Sequence, residues 1–214
     1  MKLNTVILAD DSASCDIADL CVLLKEHTIQ YLEEFTCSNS SVETEKYIYL
    51  SDSISKQNVS EKMSLINSNS SICFWYGHGK DDSFYIENES IITTTENHYI
   101  FSNALIYTFS CLNGGELADT LVSNNVKAFV GYTDYANCPY GIDDVTSDIV
   151  MTFIKSFLSG KTVYESKEDL SASYEDAIFN ESLEPFQRSK FQSNRDGLVV
   201  KGNGNLCIRD ILID

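Results

Sequence analysis

Basic residues are scarce in this chain: 15 Lys and Arg stand against 32 Asp and Glu, a formal net charge of -17, and no arginine occurs before Arg188. That balance argues against unspecific binding to nucleic acid or to an anionic membrane surface, and favours basic ligands or basic peptide segments. CxxC pairs are absent too. The seven cysteines stand at 15, 21, 37, 73, 111, 138 and 207, a scatter with the spacing of neither a disulfide framework nor a zinc site, so the expectation is a reducing cytoplasm and no metal or cofactor. The start MKLNTVILADD passes straight into a strand pattern without a basic and apolar leader, and no apolar run approaches the roughly 18 residues that a membrane span needs. No GxSxG elbow of a serine hydrolase is present. What is there, 214 residues with 43% apolar and 11% aromatic side chains, predicts a single domain over 1–214 with a substantial core.

Strand and helix patterns alternate, the mark of an α/β layer fold. Strand TVILA at 5–9 is followed by a helix with Ile17, Leu20, Cys21, Leu24, Tyr31, Leu32 and Phe35 on one face, which Ser12 can cap. CSNSSVETEK reads as a loop, YIYLS at 47–51 as a strand and SEKMSLIN at 60–67 as a helix. The segment from Ser83 to Phe101 alternates as a small antiparallel hairpin. Strand ALIYTFS, a helix opened by Gly114 and Gly115, and strand KAFVGYT come next. Asp143 and Asp144 then begin a helix that buries Val145, Ile149, Val150, Phe153, Ile154, Phe157 and Leu158, and Gly160 ends it. A helix over 163–179, a polar segment, and a closing hairpin over 198–208 with its turn at Asn203 and Gly204 complete the pattern.

Two segments carry chemistry. CFWYGHG at 73–79 and IYTFSCLNGG at 106–115 are apolar runs that stop on His78 and on Cys111. Such runs read as buried strands of a parallel sheet, whose active sites lie beyond the carboxyl ends of the strands. A thiol beside an imidazole is the minimal machinery of nucleophilic acyl transfer. Glycine on either side of His78 allows a sharp turn and lets a substrate carbonyl approach the Gly79 N–H. Cys111 falls between a strand and a helix, where the helix N-terminus favours thiolate. Cys15 and Cys21 on the first helix, Cys73 in a strand and Cys207 in the closing hairpin read as packing residues. Cys37 and Cys138 fall in loops, His27 on the solvent side of the first helix and His98 in the hairpin, none in a setting like that of His78.

YGHG, FSCLNGGELADTL, AFVGYTDYA and DDVTSDIVMTFIKSFLSGKTVYES together resemble the caspase-like cysteine peptidases of clan CD, in particular the CHAT and gingipain branch, over about residues 71–165. The resemblance implies a caspase-haemoglobinase-like fold, a mostly parallel sheet flanked by helices with small antiparallel hairpins. It implies a thiol protease with His78 and Cys111 as catalytic dyad and the N–H groups of Gly79 and Cys111 as oxyanion hole. It also implies a pocket for the substrate's P1 side chain, built here by Asp10, Asp11, Ser110 and Asp134. Carboxylates there would pair with Arg or Lys, so a basic P1 residue is expected. Equally, Asp10 reads as a helix cap and Asp134 as a turn residue. Asp143 and Asp144 resemble an acidic pair of the CHAT branch, although a helix N-terminus explains them as well.

The expected partners are protein or peptide substrates and an activating or sensor protein acting in trans, with no nucleic acid and no membrane. The alternative from another class is a caspase-like interaction module without activity. ILADDS suggests a receiver domain, but that fold wants an Asp after the third strand and a Lys after the fifth, where GHG and YTDYA stand.

Overall fold

In chain order the elements are β1 (Lys2–Ala9), α1 (Ala18–Ser38), β2 (Glu43–Leu50), α2 (Lys56–Ile66), β3 (Ser71–Tyr76), the short strands β4 (His78–Lys80), β5 (Ser83–Ile86) and β6 (Glu89–Thr93), then β7 (Ala104–Phe109), α3 (Glu116–Ser123), β8 (Ala128–Tyr132), α4 (Asp143–Leu158), α5 (Val163–Ile178), α6 (Pro185–Gly197) and β9 (Leu198–Gly202). The structure is a computed structural model that describes residues 1–66, 70–87 and 89–213. Six strands form one sheet in the order β2-β1-β3-β7-β8-β9, and β4-β5-β6 form a second, antiparallel sheet. In the larger sheet only β9 runs antiparallel to its neighbour.

The most apolar runs take the centre because both of their faces are covered. Every residue of β3, β7 and β8 is buried. On one face Leu3, Ile7, Phe74, Tyr107 and Val130 pack against Leu24 and Leu32 of α1, Phe153 and Phe157 of α4, Leu170 of α5 and Phe191 of α6. On the other, Val6, Leu8, Trp75, Ile106 and Phe129 meet Val59 and Met63 of α2, Leu117 and Leu121 of α3, and Phe84 and Ile92 of the small sheet. This is the mixed α/β arrangement that the alternating pattern predicts. Among the described residues no helix is long and apolar enough to cross a membrane.

Several local expectations are corrected. Helix α1 begins at Ala18 with no side-chain cap; the Ser12 hydroxyl donates to Asp10 instead, and Cys15 therefore precedes the helix. Strand β2 starts at Glu43, inside the stretch read as loop, because an edge strand with half-exposed side chains tolerates the polar sequence ETEK. The expected hairpin gains a third strand, β4, which begins at His78 itself; its residue 88, like residue 67 at the end of the helix expected over 60–67, lies outside the described residues. The polar segment before β9 is helix α6, with Pro185 in its first turn and Gln187 Oε1 accepting from the Glu184 N–H at 3.0 Å. The closing hairpin does not form among the described residues: the chain turns at Gly202, passes through a 3₁₀ turn over Ile208–Asp210, and pairs Ile213 with Lys2 at the start of β1. On α4, Val145 is exposed and Leu158 half-buried, at the margins of the buried stripe.

Candidate active site

Register brings the site together. Ala9 of β1 pairs with Tyr76 of β3, and Tyr76 pairs with Phe109 of β7. One residue beyond these partners stand Asp10, Gly77 and Ser110; the next are Asp11, His78 and Cys111. The strand spacing is kept past the strand ends by two backbone bonds, Asp10 N–H to the Tyr76 carbonyl at 2.8 Å and Gly77 N–H to the Phe109 carbonyl at 3.3 Å. His78 and Cys111 thus leave neighbouring parallel strands at the same level and the same end.

His78 is fixed from three sides. The Trp75 indole N–H donates to its carbonyl at 3.0 Å, the Tyr85 ring stacks on the imidazole at 5.0 Å between centroids, and Nε2 lies 4.0 Å from Oδ2 of Asp10. Asp10 is wholly buried. Its Oδ1 accepts from the Ser12 N–H at 3.1 Å and from the Ser12 hydroxyl at 2.6 Å, whereas Oδ2 has no hydrogen-bond partner among the described residues. Gly77 allows this approach, since with φ +153° a methyl group there would fall 2.7 Å from Asp10 Cβ.

Gly79 serves a second close approach. A methyl group in its place would sit 2.5 Å from the Cys111 carbonyl oxygen and strike the Ser110 hydroxyl, so the backbone carrying His78 lies directly against the backbone carrying Cys111. Leu112, with φ +62°, turns the chain sharply after the cysteine, a left-handed conformation that costs on the order of 1 kcal/mol for a residue with a side chain. The Leu112 N–H donates to the Asp134 carbonyl at 3.0 Å and the Gly114 N–H to the Tyr132 carbonyl at 2.8 Å, and both bonds hold the turn to β8.

The Cys111 thiol is half-buried, and burial pushes it above the ordinary thiol range; the Ala136 N–H, hydrogen-bonded to it, pulls the other way, while Asp134 and Cys15 add to the rise. Helix α3 begins only at Glu116, so the helix N-terminus expected beside the thiol is displaced along the chain. Tyr85 is likewise pushed up by burial, with Cys111, Cys15 and Asp10 contributing. These groups therefore share one neighbourhood. Cys15 is held below the usual thiol range by a hydrogen bond with Cys21, which is itself raised.

The four side chains expected to line a specificity pocket separate. Asp10 faces His78. Asp11 Oδ1 accepts from the Ser51 N–H at 2.9 Å and from the Ser51 hydroxyl, which holds its carboxyl below the usual carboxylate range. Ser110 is buried, its hydroxyl accepting from the Asn113 amide. Asp134 alone of the four is exposed, and its Oδ1 accepts from the Tyr135 N–H at 2.7 Å as in a turn. Elsewhere, Asp143 accepts from the Cys138 thiol at 3.1 Å, and His27 is not a solvent-side residue, since Nδ1 lies 2.8 Å from the Ser147 hydroxyl of α4. His98 lies in a 3₁₀ turn.

Sequence reasoning named Asp10 for the pocket and Cys15 for helix packing, and missed that both stand beside His78. A signal existed for the first: an aspartate directly after a central strand whose neighbour delivers the histidine.

No protein-family model matches this chain, and no curated protein does. Over 97% of its length the chain is similar in structure to the crystal structure of the Arg-specific cysteine proteinase gingipain R, with a TM-score of 0.65 at 13% sequence identity. The chain spans about half of that structure, 48% of its length. The likeness is one of fold: a mostly parallel six-stranded sheet flanked by helices with a small antiparallel sheet, the caspase-like arrangement.

Proposed function

We propose that this protein is a cysteine endopeptidase of the caspase-like kind, with Cys111 as nucleophile, His78 as proton carrier and Asp10 as the group that orients His78. The observation that carries the reading is the convergence of these three residues on the ends of β7, β3 and β1, fixed by the pairing Ala9–Tyr76–Phe109. His78 takes the Cys111 proton and the thiolate adds to the scissile carbonyl; the imidazolium then gives that proton to the leaving amine, and water, deprotonated by the same ring, releases the acid. The N–H groups of Gly79 and Cys111 receive the oxyanion. The buried Asp10 carboxylate compensates the imidazolium charge, as an aspartate does in a nucleophile–His–Asp triad.

Within this reading residues 1–214 are one catalytic domain of the reducing cytoplasm, acting on protein or peptide substrates. All seven cysteines are free thiols, and the sequence pair Asp143–Asp144, which resembles an acidic pair of the CHAT branch, lies in the first turn of α4. A basic P1 residue is supported by the exposed Asp134 beside Cys111, by the net charge of -17, and by the Arg specificity named for gingipain R. The raised resting thiol of Cys111 supports activation by a partner or signal.

The test is labelling with a peptide acyloxymethyl ketone bearing Arg or Lys at P1, followed by mapping of the modified residue. Modification of Cys111, lost in His78→Ala, is expected; labelling of Cys37 or Cys138 instead overturns the assignment, and no labelling with any P1 residue favours an interaction module.

A further inference from the structure

We propose that Asp10, Cys15 and His78 form a zinc site that, when filled, silences the proposed peptidase. One donor atom from each residue lies within 4.8 Å of the other two, and His78 Nε2 and Asp10 Oδ2 are 4.0 Å apart. A tetrahedral ion with bonds of about 2.0–2.3 Å holds its donors roughly 3.3–3.6 Å apart. Small side-chain movements close that difference. An independent observation points to a cation: Asp10 is wholly buried, and the oxygen that faces His78 is the one with no hydrogen-bond partner among the described residues. A buried bare carboxylate oxygen is costly unless a positive charge meets it.

The donor set selects the ion. A thiolate, an imidazole and one carboxylate oxygen are the ligand types of zinc, and three protein ligands leave its fourth position open to water. Calcium and magnesium want more oxygens than this cluster has. Cys15 also lines a cavity of about 430 Å³ together with Asp16, Cys138, Tyr140 and Asp143, which gives a cation an acidic approach to the cluster. The ligands escape a spacing search because two come from the loop after β1 and one from the residue after Gly77, joined only by the β1–β3 pairing.

Filling the site would stop acyl transfer for a simple reason of valence. With Nε2 bound to the ion, neutral imidazole keeps its proton on Nδ1 and has no free lone pair to accept the Cys111 proton. This inhibitory half rests on the proposed peptidase reading; the metal-binding half does not.

The test is titration of the full reduced chain with Co²⁺ alone as spectroscopic probe, followed by Zn²⁺ displacement. One equivalent should bind with a thiolate-to-cobalt charge-transfer band. Cys15→Ser should remove the band, His78→Ala should weaken binding at least tenfold, and Cys111→Ala should leave both unchanged. His78→Ala decides alone should Cys15→Ser fail to fold, because His78 is partly exposed. A band that persists in Cys15→Ser, unchanged affinity in His78→Ala, or loss of the band in Cys111→Ala overturns the site. In activity assays Zn²⁺ should inhibit turnover, with the half-inhibitory concentration raised at least tenfold in Cys15→Ser relative to that variant's own metal-free rate. Cobalt binding with the expected variant pattern in a protein that cleaves no peptide keeps the metal site and refutes the peptidase. Cleavage without Cys15-dependent cobalt binding does the reverse.

Discussion

Oδ2 of Asp10 faces Nε2 of His78 at 4.0 Å, buried and with no other partner among the described residues, while Oδ1 of the same carboxylate is satisfied by Ser12. The division of labour between the two oxygens matters. One is spent on holding the carboxylate in place, and the other is left to compensate a positive charge on or beside the imidazole. In the proposed reaction that charge is the imidazolium formed as Cys111 loses its proton; in the proposed inhibited state it is zinc. Both use the same oxygen, so they exclude one another.

Asp10→Asn should therefore lower kcat far more than it changes KM, by roughly 10⁴-fold, the loss seen when the orienting carboxylate of a triad becomes an amide. The amide oxygen can still accept from Ser12, so the fold should survive. Steady-state kinetics beside a circular dichroism melt checks this. Wild-type kcat in a folded Asp10→Asn protein contradicts the orienting role.

Gly79→Ala should destabilise the protein by about 1–3 kcal/mol, the usual cost of forcing a methyl group into packed space. The added carbon would meet the Cys111 carbonyl at 2.5 Å and the Asn113 amide at 2.8 Å. Asn113 is held by Thr108 and Ser110 and the Cys111–Leu112 peptide by the Leu112 N–H bond to the Asp134 carbonyl, so the strand carrying His78 must move instead. Urea denaturation measures the first effect, and turnover should fall further than the loss of folded protein explains.

Buried thiols make stability depend on alkaline pH. Burial, with Asp143 adding to it, pushes Cys138 from an ordinary 9.0 to about 12. Between those values the unfolded chain has released this proton and the folded chain has not, so ∂ΔG/∂pH is negative and stability falls as pH rises through the window. Urea midpoints should drop between about pH 9 and about pH 12, and Cys138→Ala should show a shallower drop. An equal slope in the variant would assign the alkaline loss to other groups, such as Tyr47, which is pushed up to about 12.

How much of this could be read in advance depended on what the local sequence had to announce. β7 and α4 are legible because a continuous apolar run and a three-and-four periodicity each match burial on the covered side. Helix α6 is not, because PFQRSKFQSNRDG buries only Phe191, Asn194 and Gly197 and its stripe is too thin to outweigh its polarity. β2 hides its start because ETEK lies on a sheet edge, where pairing to β1 and not side-chain burial holds it. Among site residues, His78 and Cys111 advertise themselves by ending apolar runs. The partners of Asp10 could not be read, because a carboxylate after a strand caps, binds or orients according to what the next strand brings beside it. Cys15 reads as a packing residue of the first helix, whereas α1 begins at Ala18 and the thiol, in the loop before it, lies within 4.8 Å of Asp10 and His78.

Preference for a basic P1 residue now rests on one carboxylate. Asp11 is bound to Ser51 and Asp10 faces His78, so of the three candidates only Asp134 is exposed, and its main-chain carbonyl is tied to Leu112 beside the nucleophile. An exposed pair is screened by water and contributes little, about 1 kcal/mol at most. Asp134→Asn should accordingly cut kcat/KM for an Arg substrate roughly fivefold, the ratio equivalent to 1 kcal/mol, and leave a citrulline analogue nearly unchanged. The same substitution removes one of the groups that raise the Cys111 thiol, so any effect on chemistry runs toward faster thiolate formation and cannot imitate the loss. Asp11→Asn is the control, and it should alter neither substrate. Equal losses on Arg and citrulline, or a protein that cleaves mainly after Asp or large apolar residues, would remove Asp134 from the pocket and leave the roles of Cys111 and His78 to be judged by labelling alone.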